Sequence, residues 1–301
     1  MSKWKVGFLC CLAFACALGP SLRASADASA ARAPIISSSE TRGPQVKGGD
    51  KDDRVNPSGS NALVDPDASS NQDTVGVYRP DTSQFFLKNS NTTGFADISF
   101  TFGLPGDLPI VGDWNGDGID TVGVFRDGVF FLKNSNTDGF ADLVVPFGQA
   151  GDLPVVGDWD ADGVDSIGVY RNDTFMLRKT NTPGDPQIII VLGVPGDLPI
   201  AGDWNRDTLD NVGIYRPSDG LVALKHGDSG GGFQDVIFTY GSPGDLPVGG
   251  DWDADGANTI GVYRGDVFLL RNSNTNGFAE IIFQFGVSGD LPLSGDWDGL
   301  P

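Results

Sequence analysis

Aspartate and asparagine side chains recur at alternate positions in several short segments of the sequence. The clearest segments are 113–118 (DWNGDG), 158–163 (DWDADG) and 251–256 (DWDADG). Oxygen-bearing side chains at the first, third and fifth positions of a tight loop can converge on one point, and the following Gly permits the turn. Oxygen ligands without His or Cys favour calcium or magnesium over zinc or copper, and carboxylate-rich flexible loops favour calcium. The pattern therefore predicts calcium-binding loops.

The segments are not equivalent. The segment 203–210 (DWNRDTLD) has Thr208 where a Gly is wanted, and a β-branched residue resists positive φ. An earlier segment at 65–69 (DPDAS) is degenerate, and the last copy stops at Asp296 and Asp298. We expect three good sites and two weak ones. The alternative is that these are ordinary turn residues, but unneutralised carboxylates at this spacing would repel one another.

The loops belong to a repeat that is marked by the tetrapeptide Gly-Asp-Leu-Pro. It starts at 106, 151, 196, 244 and 289, with spacings of 45, 45, 48 and 45 residues. Each unit contains four short apolar or alternating segments, joined by turn residues, without a helical pattern. Such a unit is typical of one blade of a β-propeller. We predict an all-β, five-bladed propeller, with four antiparallel strands in each blade.

The two ends of the repeat region complement each other. The first full unit begins at a second strand near Asp73, and the chain ends just after a first strand at 291–297. We predict that the ring is closed by a blade shared between the N- and C-terminal segments, which removes exposed sheet edges. Residues 61–65 could supply the missing strand instead, and the sequence leaves that alternative open.

The segment GDWNGDGID, with Phe102-Gly103 and Gly-Asp-Leu-Pro before it, resembles the FG-GAP or VCBS-type repeat of integrin alpha-chain propellers and bacterial surface proteins. The resemblance covers residues 62–301. It implies a propeller whose loops hold calcium through Asp113, Asn115 and Asp117 side chains and the Ile119 backbone carbonyl. The chain departs from the family at the closing ligand, because the expected position has Thr121 and the acid comes one residue earlier.

The predicted ligand set follows from this resemblance and from the repeated spacing. It comprises Asp113, Asn115, Asp117, Ile119 and Asp120; Asp158, Asp160, Asp162, Val164 and Asp165; Asp203, Asn205, Asp207 and Asp210; and Asp251, Asp253, Asp255, Ala257 and Asn258.

The N-terminal region has the features of a secretory signal. Lys3 and Lys5 precede an apolar run at 6–18 that is too short to be a membrane span, and Ala24-Ser25-Ala26 is a cleavage motif. We predict a signal peptide at 1–26, a flexible linker at 27–60 and the propeller at 61–301. The protein is then secreted or on the cell surface, in an extracellular or periplasmic space. All three cysteines lie in the signal segment, so a mature chain has none.

Charge and the remaining candidate residues limit the function. A net charge of −20 disfavours nucleic acid and anionic membranes as partners, and no membrane insertion is expected after signal cleavage. His226 is the single histidine, and the acids repeat almost symmetrically, so we expect no enzyme and no catalytic residue.

The Trp of each Gly-Asp-Trp is expected to pack between blades rather than stack on sugars. The Arg ending each second strand is expected to pair with the Asp of Gly-Asp-Leu-Pro rather than bind an anion.

The sequence therefore predicts a non-catalytic binding or adhesion module for glycans or partner proteins. A structural cell-surface scaffold without a small ligand is the alternative. A five-bladed glycoside hydrolase is a minor alternative, since it would need one isolated acid pair in the central channel.

Overall fold

The computed structural model describes residues 72–227 and 235–299. The predicted signal peptide, the linker and the alternative first strand at 61–65 lie outside the described residues. Twenty strands and no helix are found in the described ranges, so these ranges offer no helix that could cross a membrane. The strands form five antiparallel sheets of four strands each, which confirms the predicted five-bladed β-propeller.

The strands follow the repeat. Blade 1 contains β1 (Thr74–Arg79), β2 (Gln84–Leu87), β3 (Ile98–Thr101) and, from the other end of the chain, β20 (Leu291–Gly295). Blade 2 contains β4 (Leu108–Gly112), β5 (Thr121–Arg126), β6 (Val129–Leu132) and β7 (Leu143–Pro146). Blade 3 contains β8 (Leu153–Gly157), β9 (Ser166–Arg171), β10 (Thr174–Leu177) and β11 (Ile188–Val191). Blade 4 contains β12 (Leu198–Gly202), β13 (Asn211–Arg216), β14 (Leu221–Leu224) and β15 (Val236–Thr239). Blade 5 contains β16 (Leu246–Gly250), β17 (Thr259–Arg264), β18 (Val267–Leu270) and β19 (Ile281–Gln284).

The C-terminal strand closes the ring. β20 pairs with β1 in antiparallel register, from Thr74 opposite Gly295 to Tyr78 opposite Leu291. The Thr74 hydroxyl also donates a hydrogen bond to the Gly295 carbonyl at 3.3 Å. Blade 1 thus takes its first strand from the C-terminal segment, as predicted.

Burial along each strand matches its place in the blade. In blades 2 and 3, all residues of the second strand except its terminal Arg are buried, whereas the fourth strand shows side chains exposed at alternate positions. The second strand therefore lies between covered faces, and the fourth strand has one face towards solvent. The five first strands surround a central channel lined by Ile, Val, Leu, Pro, Ala, Gly and Ser residues.

The core consists of five clusters, each shared by two neighbouring blades. One cluster joins Trp114 and Phe130 of blade 2 to Ile167 and Val169 of blade 3. All five tryptophans of the Gly-Asp-Trp segments are at most 7% exposed. The expectation that these rings pack between blades is confirmed, because their faces are unavailable to a sugar.

Ion pairs connect neighbouring segments on the face of the propeller opposite the aspartate loops. Arg126 at the end of β5 contacts both carboxylate oxygens of Asp107, at 2.5 and 2.6 Å, and Asp107 also accepts a hydrogen bond from the Leu104 N–H at 2.7 Å. Gly103 has φ of +89°, and a Cβ there would lie 2.7 Å from the Asp107 carboxylate, so this position requires glycine. The same pairing recurs as Arg79–Asp290, Arg171–Asp152, Arg216–Asp197 and Arg264–Asp245. The predicted pairing of these arginines with the Gly-Asp-Leu-Pro aspartates is confirmed.

Candidate metal sites

Four aspartate loops connect the first and second strands of blades 2 to 5. They are loop 2 (113–120), loop 3 (158–165), loop 4 (203–210) and loop 5 (251–258). In loop 2, Asp113 Oδ1 accepts hydrogen bonds from the Gly116 N–H at 2.7 Å and the Asp117 N–H at 3.2 Å, and Oδ2 accepts one from the Gly118 N–H at 2.8 Å. Asp158, Asp203 and Asp251 likewise accept hydrogen bonds from the N–H groups of the fifth and sixth residues of their own loops. The first aspartate therefore organises the backbone of each loop.

Positive φ values occur at the fourth and sixth residues of every loop. The sixth residue is Gly in loops 2, 3 and 5, where φ is +83°, +81° and +86°. In loop 4 this residue is Thr208, and its φ is +68°. Thr208 thus adopts the conformation that the sequence suggested it would resist, at the cost of backbone strain.

The third residue distinguishes two kinds of loop. In loop 3, carboxylate oxygens of Asp158, Asp160 and Asp162 lie within 4.8 Å of one another, and Asp251, Asp253 and Asp255 do the same in loop 5. The first aspartate of each group is partly buried and the other two are exposed. Burial, followed by the charges of its two loop neighbours, raises the pKa of Asp253. Each of these two loops therefore concentrates three anionic oxygens at one point.

Loops 2 and 4 have an asparagine at the third position. The Asn115 amide Nδ2 donates to Asp117 Oδ2 at 2.9 Å, and Asn205 donates to Asp207 at the same distance. These amides relieve the repulsion that a third carboxylate would create. Their Oδ1 atoms remain on the loop and accept the Asp117 and Asp207 N–H groups at 3.3 and 3.1 Å.

The predicted carbonyl ligands lie at the end of each loop. The N–H groups of Ile119, Val164 and Ala257 donate to the Oδ1 atom of the preceding fifth-position aspartate at 2.9 to 3.0 Å. This hydrogen bond holds the peptide that leads into the second strand next to the fifth-position carboxylate. The structure therefore brings the first, third, fifth and seventh residues of the predicted set together in one loop.

The predicted closing ligands have a different position. Asp165 does not belong to the three-carboxylate group of loop 3; its Oδ2 accepts a hydrogen bond from the Asp113 N–H of blade 2 at 2.8 Å. In return, the Asp165 N–H donates to the Asp113 carbonyl at 2.9 Å. This side chain therefore joins two blades, and its role as a closing ligand stays a prediction.

The same paired contact occurs at all five junctions between blades, and we call these contacts latches. The eighth residue of a loop, or Asp73 in blade 1, binds the first aspartate of the preceding blade. The pairs are Asp73–Asp251, Asp120–Asp296, Asp165–Asp113, Asp210–Asp158 and Asn258–Asp203, with side-chain contacts of 2.7 to 2.9 Å.

The latch carboxylates are held where ionisation is unfavourable. Burial is the main cause that raises the pKa values of Asp120 and Asp210 to about 7, and charges of nearby aspartates add to it. Burial and neighbouring charges also raise the pKa values of Asp73 and Asp165 well above the ordinary range. Asp120 and Asp210 are thus partly protonated near neutral pH, and Asn258 is the amide member of the set.

A second set of loops, which join the third and fourth strands, lies on the same face as the aspartate loops. In blade 2, Asn136 connects the two by donating from Nδ2 to the Asp120 carbonyl at 2.8 Å. The buried Lys133 donates from Nζ to the Phe140 carbonyl at 3.4 Å. Sequence reasoning did not single out these phenylalanines, although Gly-Phe-Ala recurs at 94–96, 139–141 and 277–279.

The rings of these phenylalanines point into solvent. Phe95, Phe140 and Phe278 are 95%, 94% and 93% exposed. They belong to blades 1, 2 and 5, which are consecutive around the ring. Large apolar side chains that are almost fully exposed, on a loop held by hydrogen bonds, are available for contact with a ligand.

The fold and these loops define a five-bladed β-propeller with aspartate loops on one face. No protein-family model matches the chain, and no curated protein is significantly similar to it.

Proposed function

We propose that the chain is a secreted or cell-surface calcium-binding propeller, built from FG-GAP or VCBS-type repeats, that acts as a non-catalytic binding or adhesion module. The observation that carries this proposal is the convergence of three carboxylates in each of loops 3 and 5. Its ligand would be a glycan or a partner protein that contacts the face bearing these loops.

The residues present fit a calcium ion by their chemistry. Each of loops 3 and 5 offers three carboxylates as hard oxygen ligands, and the loop backbone is already folded around the first of them. Bound calcium would supply positive charge that cancels the repulsion among these groups. The protein's own residues position the oxygens: Asp158 and Asp251 order the turn, while Asp162 and Asp255 orient the next peptide.

The exposed phenylalanines supply a candidate contact surface. A flexible loop would lose entropy on binding, but here buried Lys88, Lys133 and Arg271 hold the three Phe carbonyls. Aromatic faces suit both pyranose rings and apolar side chains. The repetition of one aromatic contact in three consecutive blades favours a ligand with several similar contact points.

We favour a non-catalytic role over hydrolysis. A glycosidase needs a pair of carboxylates flanking the scissile bond. The residues that line the channel are Ile, Val, Leu, Pro, Ala, Gly and Ser, and the three-carboxylate groups of loops 3 and 5 are not among them. We therefore retain the non-catalytic proposal.

Thermal unfolding with and without calcium tests the metal part of the proposal. A ligand that binds the native state must raise the midpoint of unfolding. The double variant Asp162→Asn, Asp255→Asn should lose most of the calcium-dependent gain, and the exposed Asp81→Asn should keep it. An unchanged midpoint on adding millimolar calcium would refute calcium binding.

A ligand screen tests the binding part. The protein, with and without calcium, is applied to an array of glycans and to extracellular protein extracts whose captured components are identified by mass spectrometry. The variant Phe95→Ala, Phe140→Ala, Phe278→Ala should lose binding, whereas Leu104→Ala, an exposed residue of the opposite face, should not. Calcium stabilisation without any such ligand would favour the structural scaffold instead.

A further inference from the structure

Arg206 reaches from loop 4 to loop 5. Its Nη2 donates to Asp255 Oδ2, and the two side chains are 55% and 37% exposed. The stem of Arg206 also approaches the turn of loop 5, since its Cγ lies 4.0 Å from where a Cβ on Gly256 would be. A positive charge from one blade is thus placed on the three-carboxylate group of the next.

The chain contains its own comparison for this contact. Loop 3 has the same acids as loop 5 at its first, third and fifth positions, although its eighth residue is Asp165 rather than Asn258. The residue of the preceding loop equivalent to Arg206 is here Gly116. A Cβ on Gly116 would lie 3.2 Å from Val164 Cγ2, whereas loop 5 has Ala257 at the position of Val164. A side chain at position 116 would therefore need a smaller residue opposite, and loop 5 has that smaller residue.

We infer that Arg206 is an intramolecular counter-ion for loop 5, which competes with a divalent cation for Asp255 and makes loop 5 a weaker calcium site than loop 3. This inference rests on the proposed calcium binding. Three carboxylates within 4.8 Å of one another repel, and a guanidinium at one of them relieves the repulsion without a metal. A calcium ion must then displace or tolerate that positive charge. Loop 5 consequently keeps its shape in metal-free protein and binds calcium only at higher concentration.

Calcium titration by calorimetry tests this directly. All titrated variants carry Asp117→Asn and Asp207→Asn, which weaken calcium binding at loops 2 and 4. Asp162→Asn removes calcium binding at loop 3, so that the titration measures loop 5. In this background Arg206→Gln should tighten calcium binding by about two- to fivefold, the range expected for an exposed charge pair. The control Lys179→Gln removes one positive charge two blades away and should leave the affinity unchanged.

A transplant tests the converse. With loop 5 removed by Asp255→Asn instead, the pair Gly116→Arg and Val164→Ala should weaken loop 3 by a similar factor, and Val164→Ala alone should not. In chelator, Arg206→Gln should lower the unfolding midpoint of the otherwise unmodified protein, while Lys179→Gln should not.

The outcomes separate the two proposals. If neither loop binds calcium in any background, both the proposed calcium function and this inference are wrong. If loop 5 binds calcium and Arg206→Gln leaves its affinity unchanged, or changes it no more than Lys179→Gln does, only the inference is overturned.

Discussion

The carboxylate of Asp165 in blade 3 accepts a hydrogen bond from the backbone N–H of Asp113 in blade 2 at 2.8 Å, and the Asp113 carbonyl accepts one from the Asp165 N–H at 2.9 Å. Asp113 is also the residue that organises loop 2. The same two residues therefore connect the junction between blades to a candidate metal loop. Gly112 permits this close approach, because a Cβ there would lie 2.9 Å from Asp165.

Removing a latch should destabilise the ring. Asp165→Ala leaves the partly buried Asp113 N–H without its acceptor, and an unsatisfied donor of this kind costs about 1–3 kcal/mol. For a domain of this size, each kcal/mol corresponds to about 2–4 °C in the unfolding midpoint. Calorimetry of metal-free protein measures the change.

The matched variant is Asp165→Asn, because the chain already uses Asn258 in this role, with Oδ1 accepting the Asp203 N–H at 2.8 Å. It should be more stable than Asp165→Ala at every pH. Equal stability of the two variants would show that the latch hydrogen bond contributes nothing.

The latch carboxylates should make metal-free protein less stable as the pH rises. The pKa values of Asp120 and Asp210 are about 7 in the folded protein, against about 3.9 in an unfolded chain. Between these values the folded state binds more protons, so the free energy of unfolding falls as pH increases from about 4 to about 7 and then levels. Unfolding midpoints measured across this range in metal-free buffer should decline.

The double variant Asp120→Asn, Asp210→Asn isolates these groups. It keeps an acceptor for the Asp296 and Asp158 N–H groups but cannot ionise. Its midpoint should vary less with pH than that of the natural sequence and should be higher at pH 8. An unaltered pH profile would assign the dependence to other groups.

The repeat allowed much of this architecture to be predicted. The period of Gly-Asp-Leu-Pro predicted five blades, and the incomplete units at the two ends predicted closure by β20. The packing of Trp114 and the pairing of Arg126 with Asp107 followed because both recur at fixed places in the repeat. A sequence repeat predicts the contacts that every blade makes in the same way.

The latch was missed for a physical reason. Asp165 lies next to a loop of closely spaced acids, so local spacing suggests a ligand, but its partner Asp113 is 52 residues away in another blade. A signal existed in the sequence: one copy of this position is Asn258, which suits a hydrogen-bond acceptor as well as a ligand. The contact of Arg206 with Asp255 had no such signal, because the loop position of Arg206 is Gly or Ala in the other aspartate loops.

Replacing Thr208 by glycine should stabilise the protein. Thr208 has φ of +68°, and the left-handed conformation costs a non-glycine residue roughly 1–2 kcal/mol. Thr208→Gly relieves this strain but makes the unfolded chain more flexible, so a net gain of about 0.5–1 kcal/mol is expected. Chemical denaturation measures it, and Gly163→Thr in loop 3 should produce a loss. A destabilised Thr208→Gly variant would contradict the strain at this position.

Converting loop 2 to the acidic set of loop 3 should make its stability more dependent on calcium. Asn115→Asp removes the amide that donates to Asp117 and adds a third carboxylate. The unfolding midpoint should fall in chelator and recover in calcium. The control Asn115→Ala also removes the amide but adds no charge, so it should fall in chelator without the added recovery.

Deleting residues 291–301 should open the ring. The deletion removes β20 and leaves the β1 edge unpaired, with buried Val75 and Val77 losing part of their cover. Exposed strand edges promote association, so the truncated protein should unfold at lower temperature and elute as aggregates in size-exclusion chromatography.

Deleting only residues 300–301 is the control, since it retains the strand. A synthetic peptide of residues 287–299 should restore the monomer, because β20 contributes to blade 1 as a separate segment. A stable monomer without residues 291–301 and without the peptide would show that another part of the chain completes the blade.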